Sequence, residues 1–75
     1  MKLKDLYPYL TDLIEIVDVD WNILVECDYI CYIDEEDISR YEDYDITDIT
    51  SCFDYNRQLP KIVLMLDYSI YEDEE

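Results

Sequence analysis

The 75-residue chain contains no glycine and no histidine, and only five of its residues are Lys or Arg. The missing histidine removes the side chain that most often acts as a general acid or base near neutral pH. The missing glycine excludes glycine-rich phosphate loops, and it leaves tight turns to Asn, Asp, Pro or turn types without positive φ. Five scattered cations cannot neutralise a row of phosphates, so we expect no direct binding of nucleic acid.

The sequence also lacks a nucleophile motif, and we expect neither an enzyme nor a cofactor. Paired carboxylates can carry out acid–base catalysis, but they need a cleft that separates their pKa values. A chain of 75 residues rarely has room for one. The longest apolar run, Ile62 to Leu66, is far shorter than the ~20 residues of a membrane helix, so no membrane partner is expected.

The three cysteines, Cys27, Cys31 and Cys52, do not predict a metal site. A soft-metal site needs four ligands at characteristic spacing, and no histidine is present to complete one. We expect the three thiols to be small buried apolar groups in a reducing compartment. A disulfide between Cys27 and Cys31 remains an alternative.

One segment shares its first ligand positions with a calcium-binding loop. Asp18, Asp20 and Asn22 have the spacing of the first EF-hand ligands. However, Ile23 stands where that loop needs glycine, and Tyr29 stands where it needs a bidentate Glu. The segment therefore predicts a hairpin turn, and no metal is expected.

Acidic residues are the most abundant feature of the chain. Asp and Glu number 21, the formal net charge is -16, and seven of the carboxylates fall within residues 34–45. A small domain needs a net charge of only about 2 to 8 for solubility. The excess repels itself and lowers stability, so a basic partner is the simplest compensation. The competing interpretation is a solvated acidic coat without a partner.

Hydrophobic residues make up 51% of the chain, which predicts a folded domain and not a disordered acidic tail. Residues 1–70 are expected to form one domain, followed by an acidic tail at residues 71–75. Leu3, Leu6 and Leu10 share one helical face, and Pro8 limits that helix to one or two turns.

The remaining elements complete an α+β fold. A second helix is predicted at residues 35–42, with Asp34 as its N-cap and acids in its first turn. β-branched and apolar segments predict four strands, at residues 13–17, 23–27, 45–53 and 61–68. The expected order is αββαββ, with a four-stranded antiparallel sheet and one or two short helices. The last strand is nearly continuous in apolar residues and is expected to be the core of the sheet.

Several short motifs resemble a group of small phage and prophage proteins. They lie in the segments Lys2–Leu6, Ile14–Asp18, Ile33–Glu36 and Tyr41–Ile49, followed by the final apolar strand. The chain departs from that group because it lacks a turn glycine near Asn22 and is far more acidic. The resemblance implies a phage origin and no particular activity. In size and charge the chain is also similar to acidic anti-CRISPR and anti-restriction proteins.

These observations predict an acidic phage-encoded inhibitor that mimics DNA and acts in the cytoplasm of an infected bacterial host. Its partner would be a basic nucleic-acid-binding surface of a defence nuclease, first an RNA-guided CRISPR effector and second a restriction enzyme. Such an effector reads DNA with Arg side chains that pair bidentately with guanine, and a carboxylate fits the same fork. A monomer is expected, because the net charge opposes self-association.

Two acidic clusters are candidates for that interface. The primary cluster comprises Asp34, Glu35, Glu36, Asp37, Glu42, Asp43 and Asp45, with Tyr41 and Tyr44 as interleaved aromatic contacts. The secondary cluster lies along the first hairpin and comprises Asp18, Asp20, Glu26 and Asp28, with Glu15 on the exposed face. The alternative function is a non-enzymatic structural or assembly protein that docks through its apolar sheet face or an edge strand.

Overall fold

The computed structural model describes residues 1–11 and 13–71. In it the chain folds into two short α-helices and four β-strands. In chain order they are α1 (Leu3–Leu6), β1 (Leu13–Val17), β2 (Ile23–Tyr29), α2 (Glu35–Tyr41), β3 (Ile46–Asp54) and β4 (Leu59–Leu66). Short 3₁₀ turns follow α1 and β2. The predicted α+β class and the αββαββ order are confirmed. Apart from Tyr71, the predicted acidic tail lies outside the described residues.

The helices begin and end where the sequence indicates. In α1, the Asp5 carboxylate accepts a hydrogen bond from the backbone N–H of Lys2 at 3.1 Å, and Pro8 lies in the 3₁₀ turn that replaces the next helical turn. In α2, acidic residues occupy the first turn and Arg40 occupies the last, as the helix dipole favours. Ile38 is the buried residue of α2, which fixes the face that packs on the sheet.

The sheet has the strand order β2-β1-β4-β3. The hairpins β1–β2 and β3–β4 are antiparallel, whereas β1 and β4 pair in parallel at the centre. The prediction of a wholly antiparallel sheet is therefore wrong for the central pair. The physical reason is the connection through α2, which carries the chain from the β2 edge to the β3 edge. That crossing lets the inner strands of the two hairpins run in the same direction.

The core lies between the helices and one face of the sheet. Its fully or nearly fully buried members are Leu3, Ile16, Val25, Ile38, Leu64 and Leu66. Successive side chains of a strand point to opposite faces of the sheet. Leu13, Val17 and Val63 therefore lie on the face opposite to Ile16 and Leu64, and they are buried as well. The two central strands are thus apolar on both faces, which confirms β4 as a core strand.

The cysteines occupy more exposed positions than the sequence predicts. All three are free thiols; Cys31 is exposed, and Cys27 and Cys52 are half-buried. The expectation that they are buried is wrong because Cys31 lies in a surface 3₁₀ turn and the other two lie on the edge strands β2 and β3.

A buried carboxylate closes the turn between β1 and β2. Asp18 is fully buried. Its Oδ1 accepts hydrogen bonds from the N–H groups of Asp20 and Asn22, at 2.9 and 2.8 Å. Its Oδ2 accepts from the Asn22 side-chain amide at 3.0 Å and from the N–H of Ile70 at 3.3 Å. One side chain therefore holds this turn and ties it to the segment that follows β4.

Two turns use positive φ without glycine. Trp21 has a φ of 66° and Gln58 a φ of 56°, so the expectation that turns would rely on Asn, Asp or Pro is wrong at these positions. A left-handed non-glycine residue costs about 1–2 kcal/mol. In the first turn, the Trp21 N–H donates to the Asp18 carbonyl at 3.1 Å, and the bonds to the Asp18 carboxylate oppose that cost.

Replacing Asp18 with Asn is expected to lower the free energy of unfolding by about 3 kcal/mol. The amide keeps the shape of the side chain but loses its charge and sets an N–H group against other donors. Urea denaturation followed by circular dichroism measures the change. Asp67→Asn, at an exposed position just after β4, serves as the control and is expected to change stability by less than about 0.5 kcal/mol. Equal effects of the two substitutions would contradict the structural role of Asp18.

Acid should weaken the Asp18 interaction. Burial alone raises the pKa of the Asp18 carboxyl, but the hydrogen bonds from Asn22, Ile70 and Asp20 outweigh burial and hold that pKa below its ordinary value of 3.8. The stabilisation is therefore complete above the ordinary pKa and is lost as pH falls through the lower folded-state pKa.

The difference in Tm between the wild-type chain and Asp18→Asn reports this effect. We expect it to be constant between about pH 5 and 7 and to shrink below about pH 4. The comparison cancels the relief of general carboxylate repulsion, since both chains share it. A difference that stays constant down to about pH 2 would contradict the assignment.

Candidate functional site

The two predicted acidic clusters meet in one groove between β2 and the start of α2. The groove has a volume of about 350 Å³, and its carboxylates are Glu26, Asp28, Asp34 and Asp37. We call this site the acidic groove. The first two residues belong to the secondary cluster and the last two to the primary cluster. The fold thus joins parts of two segments that the sequence left as alternatives.

A cation from a distant turn already lies in the acidic groove. Arg57, between β3 and β4, places its guanidinium Nη1 3.3 Å from Oδ1 of Asp28 and its Nε 3.8 Å from Oδ2 of Asp54. The hydrogen bond to Asp28 raises the pKa of the guanidinium, which stays charged. The side chains of Arg57 and Asp28 are 39% and 38% exposed, so water and other molecules reach this pair. The groove therefore accommodates an arginine head group.

The acids of the primary cluster separate to opposite ends of α2. Asp34, Glu35 and Glu36 are exposed at its first turn. Asp43 and Asp45 are exposed beyond its last turn, about 10 Å away at 1.5 Å of rise per residue. Glu42 lies beside them and is half-buried. The structure therefore does not present the primary cluster as one continuous array.

The acids after α2 lie against the beginning of the chain. Lys4 Nζ is 3.0 Å from Oδ1 of Asp43, and this hydrogen bond raises the pKa of Lys4 and lowers that of Asp43. Lys2 forms a β-bridge with Asp45, which brings a second lysine to the same surface. This end of α2 is partly neutralised from within the chain, in contrast to the first turn of α2.

The predicted aromatic contacts pack inward. Tyr41 and Tyr44 are half-buried and lie against the core, and both contact Tyr68. The ring centroids of Tyr44 and Tyr68 are 5.0 Å apart in an edge-to-face arrangement. Such pairs stabilise a fold by about 0.5–1.5 kcal/mol beyond their buried area. Their role in the structure is to anchor the end of α2 to the chain after β4.

The other residues of the secondary cluster have structural partners. Asp18 is buried and fully hydrogen-bonded, so its carboxylate is not accessible to a binding partner. Asp20 is exposed, and its Oδ2 accepts a hydrogen bond from Ser69 Oγ at 3.1 Å. Glu15 was expected on an exposed face, but its side chain is only 14% exposed and pairs with Lys61 at 3.2 Å.

Three of the five cations of the chain form ion pairs with carboxylates among the described residues. Ion pairs are formed by Lys4, Arg57 and Lys61. Burial lowers the pKa of Lys61. The hydrogen bond to Glu15 and the charge of Glu15 outweigh burial, so the pKa lies above its ordinary value and the lysine stays protonated. Ten carboxylates of the described residues are exposed, at Asp5, Asp20, Glu26, Asp34, Glu35, Glu36, Asp43, Asp45, Asp48 and Asp67. Among these ten, only Asp43 forms an ion pair with a described residue.

The described residues offer no arrangement of three or more His, Cys, Asp or Glu side chains suited to holding a metal ion. Within residues 1–11 and 13–71, no helix has the length and apolar character needed to span a bilayer.

Sequence reasoning missed three residues that contribute to the acidic groove and to the turn between β1 and β2. Arg57 lies 29 positions from Asp28, and nothing in the local sequence indicates their contact. Ser69 and Ile70 follow the last strand and were not assigned a role, yet both donate to the acidic turn between β1 and β2. A polar residue between apolar neighbours after a core strand was the one available signal.

Comparison with protein-family models, curated proteins and solved structures finds no match to this chain.

The exposed carboxylates predict that salt stabilises the fold. Raising NaCl from about 10 mM to about 1 M shortens the Debye length from about 30 Å to about 3 Å and screens carboxylate repulsion. We expect the Tm at pH 7 to rise across this range. The double variant Glu35→Gln/Glu36→Gln should show a smaller rise in Tm with salt, because it removes two of the repelling charges. A Tm that falls with salt would mean that the ion pairs outweigh the repulsion. Tetramethylammonium chloride provides a control for specific sodium binding.

Proposed function

We propose that the chain is an acidic inhibitor that occupies the nucleic-acid-binding surface of another protein. The observation that carries the proposal is the acidic groove, where Glu26 and Asp28 of β2 lie opposite the start of α2. Asp34, the N-cap of α2, and Asp37, in its first turn, line that side of the groove. The chain's own Arg57 shows that a guanidinium fits there. We propose that a partner's Arg or Lys side chains enter this groove while the exposed acids of α2 contact the surrounding basic surface.

The electrostatics of the chain support this mode of binding. Only five cations oppose 21 acidic residues, and three of the five are already held in ion pairs within the chain. A basic partner would relieve the remaining repulsion and release the counterions held by both surfaces. Complementary charge of this kind accelerates association and makes binding sensitive to salt. The first turn of α2 is the favoured contact, because its acids form no ion pair with any described residue.

The proposed target class is a bacterial defence nuclease, with an RNA-guided nuclease tested first and a restriction endonuclease second. An RNA-guided nuclease reads the short DNA signal beside its target with Arg side chains, and it holds the guide–target duplex in a positively charged channel. Carboxylates pair with the same Arg fork that recognises guanine or phosphate. Occupation of these groups would exclude DNA by competition, without any chemical step.

The test is DNA cleavage by a purified, guide-loaded RNA-guided nuclease in the presence of increasing amounts of the chain. We expect inhibition by the wild-type chain, relieved by excess target DNA. In the double variant Asp34→Lys/Asp37→Lys, the half-inhibitory concentration should rise by at least about 100-fold. Each lost charge pair costs about 1.5 kcal/mol or more, which is roughly tenfold, and the variant removes two. A restriction endonuclease is assayed in parallel.

The matched control is Asp45→Lys/Asp67→Lys, which alters exposed acids away from the acidic groove. Each Asp→Lys change adds two charge units, so both double variants move the net charge from -16 to -12. We expect the control to inhibit within about threefold of the wild-type chain, because a distant charge acts only through a screened field. Equal loss in both variants would remove the groove as the site. Failure to inhibit either nuclease would contradict the proposed target class, and circular dichroism verifies that each variant is folded.

A further inference from the structure

The edge strand β3 presents a long row of backbone groups at the side of the sheet away from the acidic groove. It spans Ile46–Asp54, about 30 Å at the rise of an extended chain. The strand contains no Lys and no Pro, which are the residues that commonly protect an edge from pairing. Its one irregularity is a register shift between Ile46 and Asp48, after which the pairing with β4 is regular.

Two observations show which backbone groups of β3 point outward. The Ile49 N–H donates to its neighbour's carboxylate, Oδ1 of Asp48, at 2.9 Å, so it does not belong to the ladder with β4. Phe53 pairs with Pro60, which has no N–H to donate, as suits a pair whose backbone groups point away from each other. By strand alternation, the N–H and C=O groups of Ile49, Ser51 and Phe53 face the open edge.

The described residues cover only the beginning of this edge. The Ile46 N–H donates to the Met1 carbonyl at 2.7 Å, next to the bridge between Lys2 and Asp45. From Ile49 to Phe53, no described residue outside the sheet bonds the outward backbone groups. Within β3, the Asp48 carboxylate accepts the bond from the Ile49 N–H. Within residues 1–11 and 13–71, the outward positions Ile49, Ser51 and Phe53 therefore have room for an added strand.

The side chains along this edge combine apolar and acidic character. Ile49 is 54% exposed and Phe53 44% exposed, and they point to the same face of the sheet. Phe53 extends this apolar surface by an edge-to-face contact with Tyr55, whose ring centroid is 5.1 Å away. At the other end, a hollow of about 330 Å³ is lined by Met1, Ile46, Thr47, Asp48 and Ile49. A Lys or Arg side chain suits that hollow, with its apolar stem on the isoleucines and its charge on Asp48.

The charges argue against a second copy of this chain as the occupant. Two β3 strands paired antiparallel about Ser51 would place Ile49 opposite Phe53, which is favourable. The same register would place Asp48 opposite Asp54, and like charges directly opposite destabilise a strand pair. Each copy would also bring a net charge of -16. A segment of another protein that carries Lys or Arg would avoid both the opposed aspartates and the repulsion between two acidic chains.

We propose that β3 accepts an extended segment of another protein, which adds to the sheet as a fifth strand with an apolar side chain on Phe53 and a Lys or Arg beside Asp48. Backbone hydrogen bonds supply affinity in such strand addition, and alternate side chains supply specificity. In the free chain, the Asp48 carboxylate satisfies the Ile49 N–H and protects the edge. A bound cation draws that carboxylate away and frees the N–H for pairing.

This surface is distinct from the acidic groove. The groove lies beside β2, and β2 and β3 are the two opposite edges of the sheet. Asp54, the last residue of β3, contacts Arg57 of the groove, but Asp48 and Ser51 do not line it. Substitutions at Asp48 and Ser51 therefore leave the groove intact, and the charge reversals of Asp34 and Asp37 leave β3 intact. Strand addition and nuclease inhibition can fail independently of each other.

The test is selection from a displayed library of random peptides of about nine residues, the length that matches β3. The wild-type chain is the bait, and Ser51→Pro is the counter-selection bait. Proline removes an outward N–H that faces solvent, which an edge strand tolerates. We expect enriched peptides with apolar residues at every second position and a Lys or Arg at one end. They should bind Ser51→Pro at least about tenfold more weakly than wild type, because the added strand loses a ladder hydrogen bond and meets the proline ring.

Two further variants separate backbone pairing from charge. Ser51→Ala keeps the N–H and should bind the selected peptides within about twofold of wild type, because the serine side chain is not part of the ladder. Asp48→Asn keeps the acceptor for the Ile49 N–H and removes the charge. It should weaken the Lys- or Arg-bearing peptides by about fivefold or more and leave their uncharged analogues unchanged.

Amide chemical shifts locate the peptide and should change most at Ile49, Ser51 and Phe53. The proposal is overturned if no peptide is retained, if retained peptides lack the alternation, or if they bind Ser51→Pro as tightly as wild type. Sedimentation of the wild-type chain is the remaining control. A dimer that Ser51→Pro dissociates would identify a second copy as the occupant and would also overturn the proposal.

Discussion

The parallel pairing of β1 with β4 is the contact on which the rest of this structure depends. It joins two hairpins that are local in sequence, and it places the apolar strands Leu13–Val17 and Leu59–Leu66 at the centre of the sheet. As a result β2 and β3 become the edges. The acidic groove then forms between β2 and α2. From Ile49 to Phe53, the outward backbone groups of β3 meet no other described segment of the chain. Both candidate surfaces are consequences of which strands are central.

Charge is the second constraint, since a small core must hold together a chain with a net charge of -16. Within the sheet, Lys61 pairs with Glu15, whose carboxylate is mostly buried and would destabilise the sheet without a cation beside it. The buried carboxylate of Asp18 has no described cation beside it, and four hydrogen bonds stabilise its charge instead. No described cation forms an ion pair with the exposed acids of α2, so their surface keeps its negative charge.

Much of the local structure could be predicted, because local patterns determine it. The alternation around Glu15 indicates β1, the acids at residues 34–37 suit the first turn of α2, and the apolar run at 62–66 indicates a core strand. The candidate site was predicted less well. Tyr41 and Tyr44 sit among acids in the sequence, yet they pack inward on Tyr68. Tyr41 lies one helical turn after the buried Ile38, on the face of α2 that packs on the sheet.

The sequence by itself determined the fold class, the order of elements and the excess of negative charge, since composition and periodicity depend only on neighbouring residues. The tertiary structure decided the direction of the central strand pair, the burial of Asp18, and the meeting of Asp28 with Asp34 and Arg57 in one groove. These features depend on contacts between segments far apart in the chain. Such contacts depend on how the hairpins pack, and the local pattern of residues does not predict them.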